Sequence, residues 1–300
     1  MWFKNFRPYR ISDRLGLDAG SLAQRLSARP FVPCRPAQPQ STGWVPALAD
    51  TAEALVHAAG DYWMVRLGRE DRLLPTTVVR EEVANRINQI QVAESRKVYR
   101  KEKLQITDEV TQDLLPRAFT RTHSIEALIS EREGWLWVNN ASAAKGEELL
   151  SFLREAIGGL PAVLPITRKN PALIMSDWLL HNDLPAGFEF GTEADLAEPG
   201  EEGGVVRLRS MMIECDEVRA HIESGKQVER IGLEWQGRLS FVLGSDLVLR
   251  RLRFADQLVD AHAELKEDIL AKRDADFLLM SETLAELWPE LLTAFGGLEE

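Results

Sequence analysis

The sequence predicts an α+β protein, with mixed or antiparallel sheets, flanking helices and a projecting helical hairpin. Three observations point there. Strand-like and helix-like runs come in irregular groups without βαβ alternation. The segment VERIGLEWQGRLSFVLGSDLVLRRLRF alternates and turns like a three-stranded meander. The chain then closes on a long helix pattern whose apolar stripe is Phe277, Leu284, Leu287, Trp288, Leu291 and Phe295, stopped by Gly296-Gly297.

Taken in order, WFKNFRPYRI, RPFVPC and YWMVRLGRED read as strands separated by Pro, Gly and Asn punctuation, with a short helix over 18–27. After Leu74-Pro75, Thr76 or Thr77 is placed to cap a helix with Glu81 and Glu82 near its first turn. Val79, Val83, Ile87 and Ile90 form one narrow apolar stripe on it. The helix is expected to run on through the polar ESRKVYRKEK, with a short helix restarting at Thr107 and ending at Pro116. Residues 77–115 thus read as the hairpin.

AFTRTHSIEALIS and GWLWVNN are strands, and Ser142 opens a helix with Leu149, Leu150, Leu153 and Ile157 as its core face. AVLPI resumes strand character, and Trp178 falls in a short helix after Pro171. Residues 182–204, including GEEGG, read as an acidic, loop-rich connection. VVRLRSM is a strand and 215–223 a helix. The domain division expected is 1–76 with 116–180 as a discontinuous central α+β domain, 77–115 as a tip, and 181–300 as a base.

With 300 residues, 45% hydrophobic and 28% charged, the composition is that of a globular protein with ample core. No apolar run reaches the roughly 20 residues that span a bilayer, and the amino terminus predicts no secretory signal. Two cysteines, Cys34 and Cys215, make no disulfide framework, which fits a reducing cytoplasm. The net charge of -11 is unevenly spread: 181–223 holds eleven acids against three bases and 255–300 twelve against three, so the remainder carries +6.

No phosphate-binding loop, dinucleotide fingerprint, serine elbow or HExxH motif is present, and the five histidines are scattered. No catalytic residue, metal site or cofactor is therefore assigned. Glu214, Asp216 and Glu217, or Glu264, Glu267 and Asp268, offer a nuclease-type Mg²⁺ cluster only as a minor alternative to solvated helix faces.

Against the acidic background, ESRKVYRKEK gathers Arg96, Lys97, Arg100, Lys101 and Lys103. Arg117 and Arg121 follow in PRAFTR, Arg207 and Arg209 share a face of VVRLR, and Arg250, Arg251 and Arg253 lie in RRLRF. Phosphate contact needs positive donors at reach and no fixed spacing, so this dispersed pattern fits sequence-independent binding of a nucleic-acid backbone. Trp135 and Trp137, two apart on a strand, are candidates for base stacking, with core packing the more ordinary use.

WFKNFRPYRI, FVPC with GWVP at 31–46, LLPRAF, ASAAKGEELLSFLR, GGLP, HIESGKQVERIGLEW, LRRLRF and DADFLLM, in that order along nearly the whole chain, resemble the recombination-associated RdgC family. The resemblance implies a non-catalytic, cytoplasmic, nucleoid-associated protein that binds double-stranded DNA without sequence preference, with single-stranded DNA left open as a second form. It implies a ring-shaped homodimer with a positively lined hole, and antagonism towards the RecA recombinase, with no membrane partner.

Carried onto this chain, it marks Lys4, Arg117, Arg121, Arg207, Lys226, Arg250 and Arg251 as backbone contacts. Phe119 in PRAF becomes a subunit contact, with ordinary core as the equal alternative. Met211 and Met212 stand where polar or basic residues are expected, which weakens a DNA role for that loop. A second reading makes the acidic C-terminal region a module that inhibits the recombinase by direct contact.

Overall fold

The structure, a computed structural model, describes residues 2–48, 53–200, 203–262, 264–265 and 268–299. It is α+β, with a mostly antiparallel set of twelve strands and eight α-helices among the described residues. None of these helices is long and apolar enough to cross a membrane. The chain divides into two compact units, 1–26 with 46–66 and 125–300, and 27–45 with 67–124.

The strand order runs from β5 (Phe119–Ser130), whose residues from 125 on belong to the larger unit, through β6 (Trp135–Val138), β1 (Asn5–Ile11), β12 (Leu249–Phe254), β11 (Leu239–Gly244), β10 (Gln227–Trp235) and β8 (Phe188–Ala197) to β9 (Val205–Arg209). The expected meander is β10 to β12, paired antiparallel from Trp235↔Leu239 and Leu239↔Phe254. Alternation, interrupted on β12 by one extra residue between Leu249 and Leu252, sends Ile231, Leu233, Trp235, Phe241, Leu243, Leu249, Leu252 and Phe254 into one core. There they meet α8 (Ile269–Ala294), whose stripe Phe277, Leu284, Leu287, Trp288 and Leu291 is buried as the periodicity predicts. Phe6 sits 5.2 Å from both Trp137 and Trp288, and Trp135 meets Trp288 edge-on at 5.3 Å.

On β1, Tyr9 is 1% exposed. It packs against α4 (Ala143–Ile157) at Gly146, where a Cβ would fall 2.4 Å from the tyrosine oxygen, so only glycine fits. Burial is the main cause that pushes the Tyr9 hydroxyl up to about 12. The helix ends where Gly158 adopts φ 79°, and α5 (Pro171–His181) begins with the Asn170 side chain accepting from the Ala172 and Leu173 amides.

Several expectations are corrected. Residues 182–204 are not loop throughout: Phe188–Ala197 forms β8, because it finds Gln227–Ala197 through Trp235–Phe188 as an antiparallel register. Its glycine and acids mask that alternation in the sequence. Glu201 and Glu202 of GEEGG lie outside the described residues. RPFVPC forms no strand and pairs only at Pro30↔Trp44, and AVLPI gives just the two-residue β7 (Ala162–Val163).

The smaller unit holds β2 (Gln40–Val45), residues 67–73 of its neighbour β4 (Tyr62–Leu73), and residues 119–124 of β5, the next strand after β4. The helical pair is α2 (Thr76–Glu94) and α3 (Arg100–Leu114). Val83, Ile106 and Val110 are its buried centre, flanked by Val79, Ile87, Ile90, Val98 and Leu114. Three such side chains contribute on the order of 1.5–3 kcal/mol each, which is a thin core for two helices.

Neither Thr76 nor Thr77 caps α2; Pro75 holds the cap position without a side-chain bond. The helix also does not continue through ESRKVYRKEK. It stops at Ser95, in the left-handed region at φ 52°, and α3 starts at Arg100. Thr107 therefore lies inside a helix, its hydroxyl donating to the Lys103 carbonyl at 2.7 Å.

Candidate nucleic-acid interface

The turn at 95–99 is built around Arg96. Its guanidinium donates to Glu94 at 2.5 Å and, with two nitrogens, to Glu102 at 2.5 and 2.7 Å, bridging the end of α2 to the first turn of α3. Hydrogen bonds to Glu102 and then Glu94 push the guanidinium further up and hold the Glu102 carboxyl below its usual range. Arg96 is thus engaged as a strut. Lys97, Arg100, Lys101 and Lys103 are exposed and have no acidic partner among the described residues.

Arg117 and Arg121 are likewise exposed and unpaired among the described residues, either side of Phe119. Phe119 is 84% exposed, so it is not core. Just ahead of it, the Arg72 guanidinium donates to the carbonyls of Leu115 and Ala118 at 3.1 and 3.2 Å, and to those of Cys34 and Arg35. The phenylalanine is displayed from a fastened segment.

In the larger unit, β9 and β12 carry Arg207, Arg209, Arg250 and Arg251, while Lys4 precedes β1 and Lys226 precedes β10. Arg251 has φ 54° at an irregularity where β12 has one residue more than β11 between Ser240↔Arg253 and Val242↔Arg250. That bulge puts Arg251 and Arg253 together on the rim of a concavity of about 300 Å³. Gly191 and Gly232 form its floor, on neighbouring strands too close for a Cβ on Gly191. Arg209, Ser210, Ser240, Thr192 and the carboxylate of Glu193 complete the polar lining.

Most of these arginines are already answered by carboxylates. Glu193 accepts from Arg251 at 2.5 Å and lies 3.5 Å from Arg209, which also reaches Asp195 at 2.6 Å. Asp195 is shared with Arg230 at 3.6 Å. Arg250 forms a fork onto Asp246, which the buried Arg7 approaches at 3.6 Å. Burial alone raises the Asp246 carboxyl, but the hydrogen bonds and charge of Arg250 outweigh it and leave the group below its usual range.

Lys226 is half-hidden and bound to Glu198 at 2.8 Å. Lys4, Arg207 and Arg253 remain exposed without an acidic partner among the described residues. Sequence reasoning placed Arg207 and Arg209 correctly on one face and set Arg253 beside its neighbours. It missed Arg230 and all of the answering acids, since cross-strand register pairs them.

Trp135 and Trp137 are buried, at 8% and 0% exposure, and are unavailable for stacking bases. Among the described residues no three His, Cys, Asp or Glu side chains gather as a metal-holding group. Glu267, part of one acidic cluster singled out above, lies outside the described residues.

A family profile described as "Putative exonuclease, RdgC" matches residues 1–298. The chain belongs to the RdgC family. Its relatives there include proteins named recombination-associated protein RdgC from Yersinia pestis (strain Pestoides F), 38% identical over 299 residues, covering 99% of this chain and 98% of the relative. Another, from Pseudomonas aeruginosa (strain LESB58), is 39% identical over 302 residues, covering 100% and 98%. The Yersinia pseudotuberculosis serotype O:3 (strain YPIII) relative matches at 38% over 299 residues. The RdgC resemblance drawn from WFKNFRPYRI through DADFLLM therefore holds over the whole chain, and with it the association with recombination.

Proposed function

We propose that this protein is a non-catalytic, sequence-independent DNA-binding protein of the cytoplasm and nucleoid, which closes as a ring-shaped homodimer around DNA and restrains a RecA-type recombinase. The single observation that carries the reading is the cationic concavity of the β8–β12 face, where Arg251 and Arg253 are aimed by a bulge over a glycine floor. Exposed cations without base-reading geometry suit a phosphate backbone. The tip, central and base division expected from the sequence belongs to the same reading.

The test is retention on DNA of different topology. Protein loaded on a closed circle should resist a high-salt wash, and cutting the circle should release it. Equal release from circular and linear DNA overturns the ring. Incubating supercoiled DNA with the protein and Mg²⁺ or Mn²⁺ should leave it un-nicked, and nicking overturns the non-catalytic part.

A second expectation concerns the resident acid. Glu193→Gln removes the charge that occupies Arg251 and part of Arg209. DNA affinity should rise at low salt, and the slope of log affinity against log salt should steepen by about 1. Measuring binding isotherms at four or five salt concentrations checks it; an unchanged slope removes these arginines from the interface.

A further inference from the structure

Of the three tyrosines, Tyr9 and Tyr62 are buried at 1% and 9% exposure, whereas Tyr99 is 74% exposed. Its position follows from the turn it occupies. Val98 packs against the small core of α2 and α3. Tyr99 is itself extended, at φ -92° and ψ 168°, and both neighbours of Val98, Lys97 and Tyr99, are exposed.

The turn is not loose. Arg96 ties Glu94 to Glu102, and the Tyr99 carbonyl accepts from the Lys103 amide at 2.9 Å. An aromatic ring is thus held out to solvent on a braced turn, next in the chain to the exposed Lys97, Arg100 and Lys101, whose charges no acid answers among the described residues.

A solvent-facing aromatic ring among uncompensated cations is the arrangement that holds single-stranded nucleic acid: the cations follow the phosphates and the ring takes the face of a base, whichever base it is. In a duplex the base faces are covered by their neighbours, so such a ring gains little there. We propose that Tyr99 is a stacking platform for an unpaired base, and that the turn between α2 and α3 thereby takes single-stranded DNA, with Lys97, Arg100 and Lys101 meeting its phosphates. This rests on the DNA-binding reading above and adds to it a ligand form and the residue that selects it.

The experiment compares full-length wild type, Tyr99→Ala and Tyr99→Phe on a fluorescein-labelled 20-nucleotide single strand and on its duplex, by anisotropy at fixed salt. Tyr99→Ala should weaken single-strand binding about 5- to 150-fold, the range for one lost base stack. Duplex binding should change less than twofold. Tyr99→Phe, which keeps the ring, should bind both forms like wild type. The salt slope should not move, because no charge is removed.

Equal losses on both forms, or no loss, overturn the proposal. So does a change in native mass, which would make Tyr99 a subunit contact. Wild type that binds duplex but not single strand sinks this inference alone; wild type that binds neither sinks the parent reading as well.

Discussion

Raising monovalent salt from 50 to 200 mM should lower duplex affinity about 10³- to 10⁵-fold, as expected for six to ten phosphates engaged. The exposed cations without an acidic partner among the described residues are Lys4, Lys97, Arg100, Lys101, Lys103, Arg117, Arg121, Arg207 and Arg253, among others, so each copy has enough to supply that number. Arg209, Arg250, Arg251 and Lys226 should add less, since each must exchange a carboxylate already in place for a phosphate. Exchange of one anion for another gains little in water. Replacing a mixed-sequence duplex by an A·T-rich one of equal length should change affinity far less than salt does. A log–log slope near zero, or strong dependence on base sequence, would remove backbone contact as the basis of binding.

The parts of the fold governed by periodicity were legible in the sequence. The stripe from Phe277 to Phe295, the meander of β10 to β12 and the Val79–Ile90 seam all recur because burial imposes a period of 3.6 or 2 on the residues. What escaped was set by distant partners. FEFGTEADLA reads as loop until β10 supplies a register for it, and α2 breaks at Ser95, where Arg96 turns to Glu102 of α3 and Val98 to the core that α2 shares with α3. The candidate site divides in the same way. The positions of the cations are a matter of composition and could be read directly. Which of them are answered depends on cross-strand neighbours such as Glu193↔Arg209, a pairing that no local pattern reveals.

If Phe119 is a subunit contact of the proposed ring, Phe119→Asp should leave the monomer's fold intact while weakening self-association about 30- to 1000-fold, the loss expected when a central aromatic anchor worth about 2–4 kcal/mol is removed. The first half follows from exposure: a side chain that is 84% solvent-accessible packs against little of its own chain, and surface changes of this kind stay within about 0.5 kcal/mol. The second half follows from its setting. A large ring stands between Arg117 and Arg121 on a segment that Arg72 fastens through the Leu115 and Ala118 carbonyls, so it is presented rigidly and loses little freedom on contact. In a twofold arrangement each substitution appears on both partners, and two introduced carboxylates would face one another. Sedimentation equilibrium reads the mass, and thermal unfolding checks the fold. If a second contact keeps the copies together, the mass stays dimeric but salt-resistant retention on circular DNA is lost, because the ring no longer closes. A variant that keeps both its dimeric mass and its hold on circles places the subunit contact elsewhere and leaves the display of Phe119 unexplained.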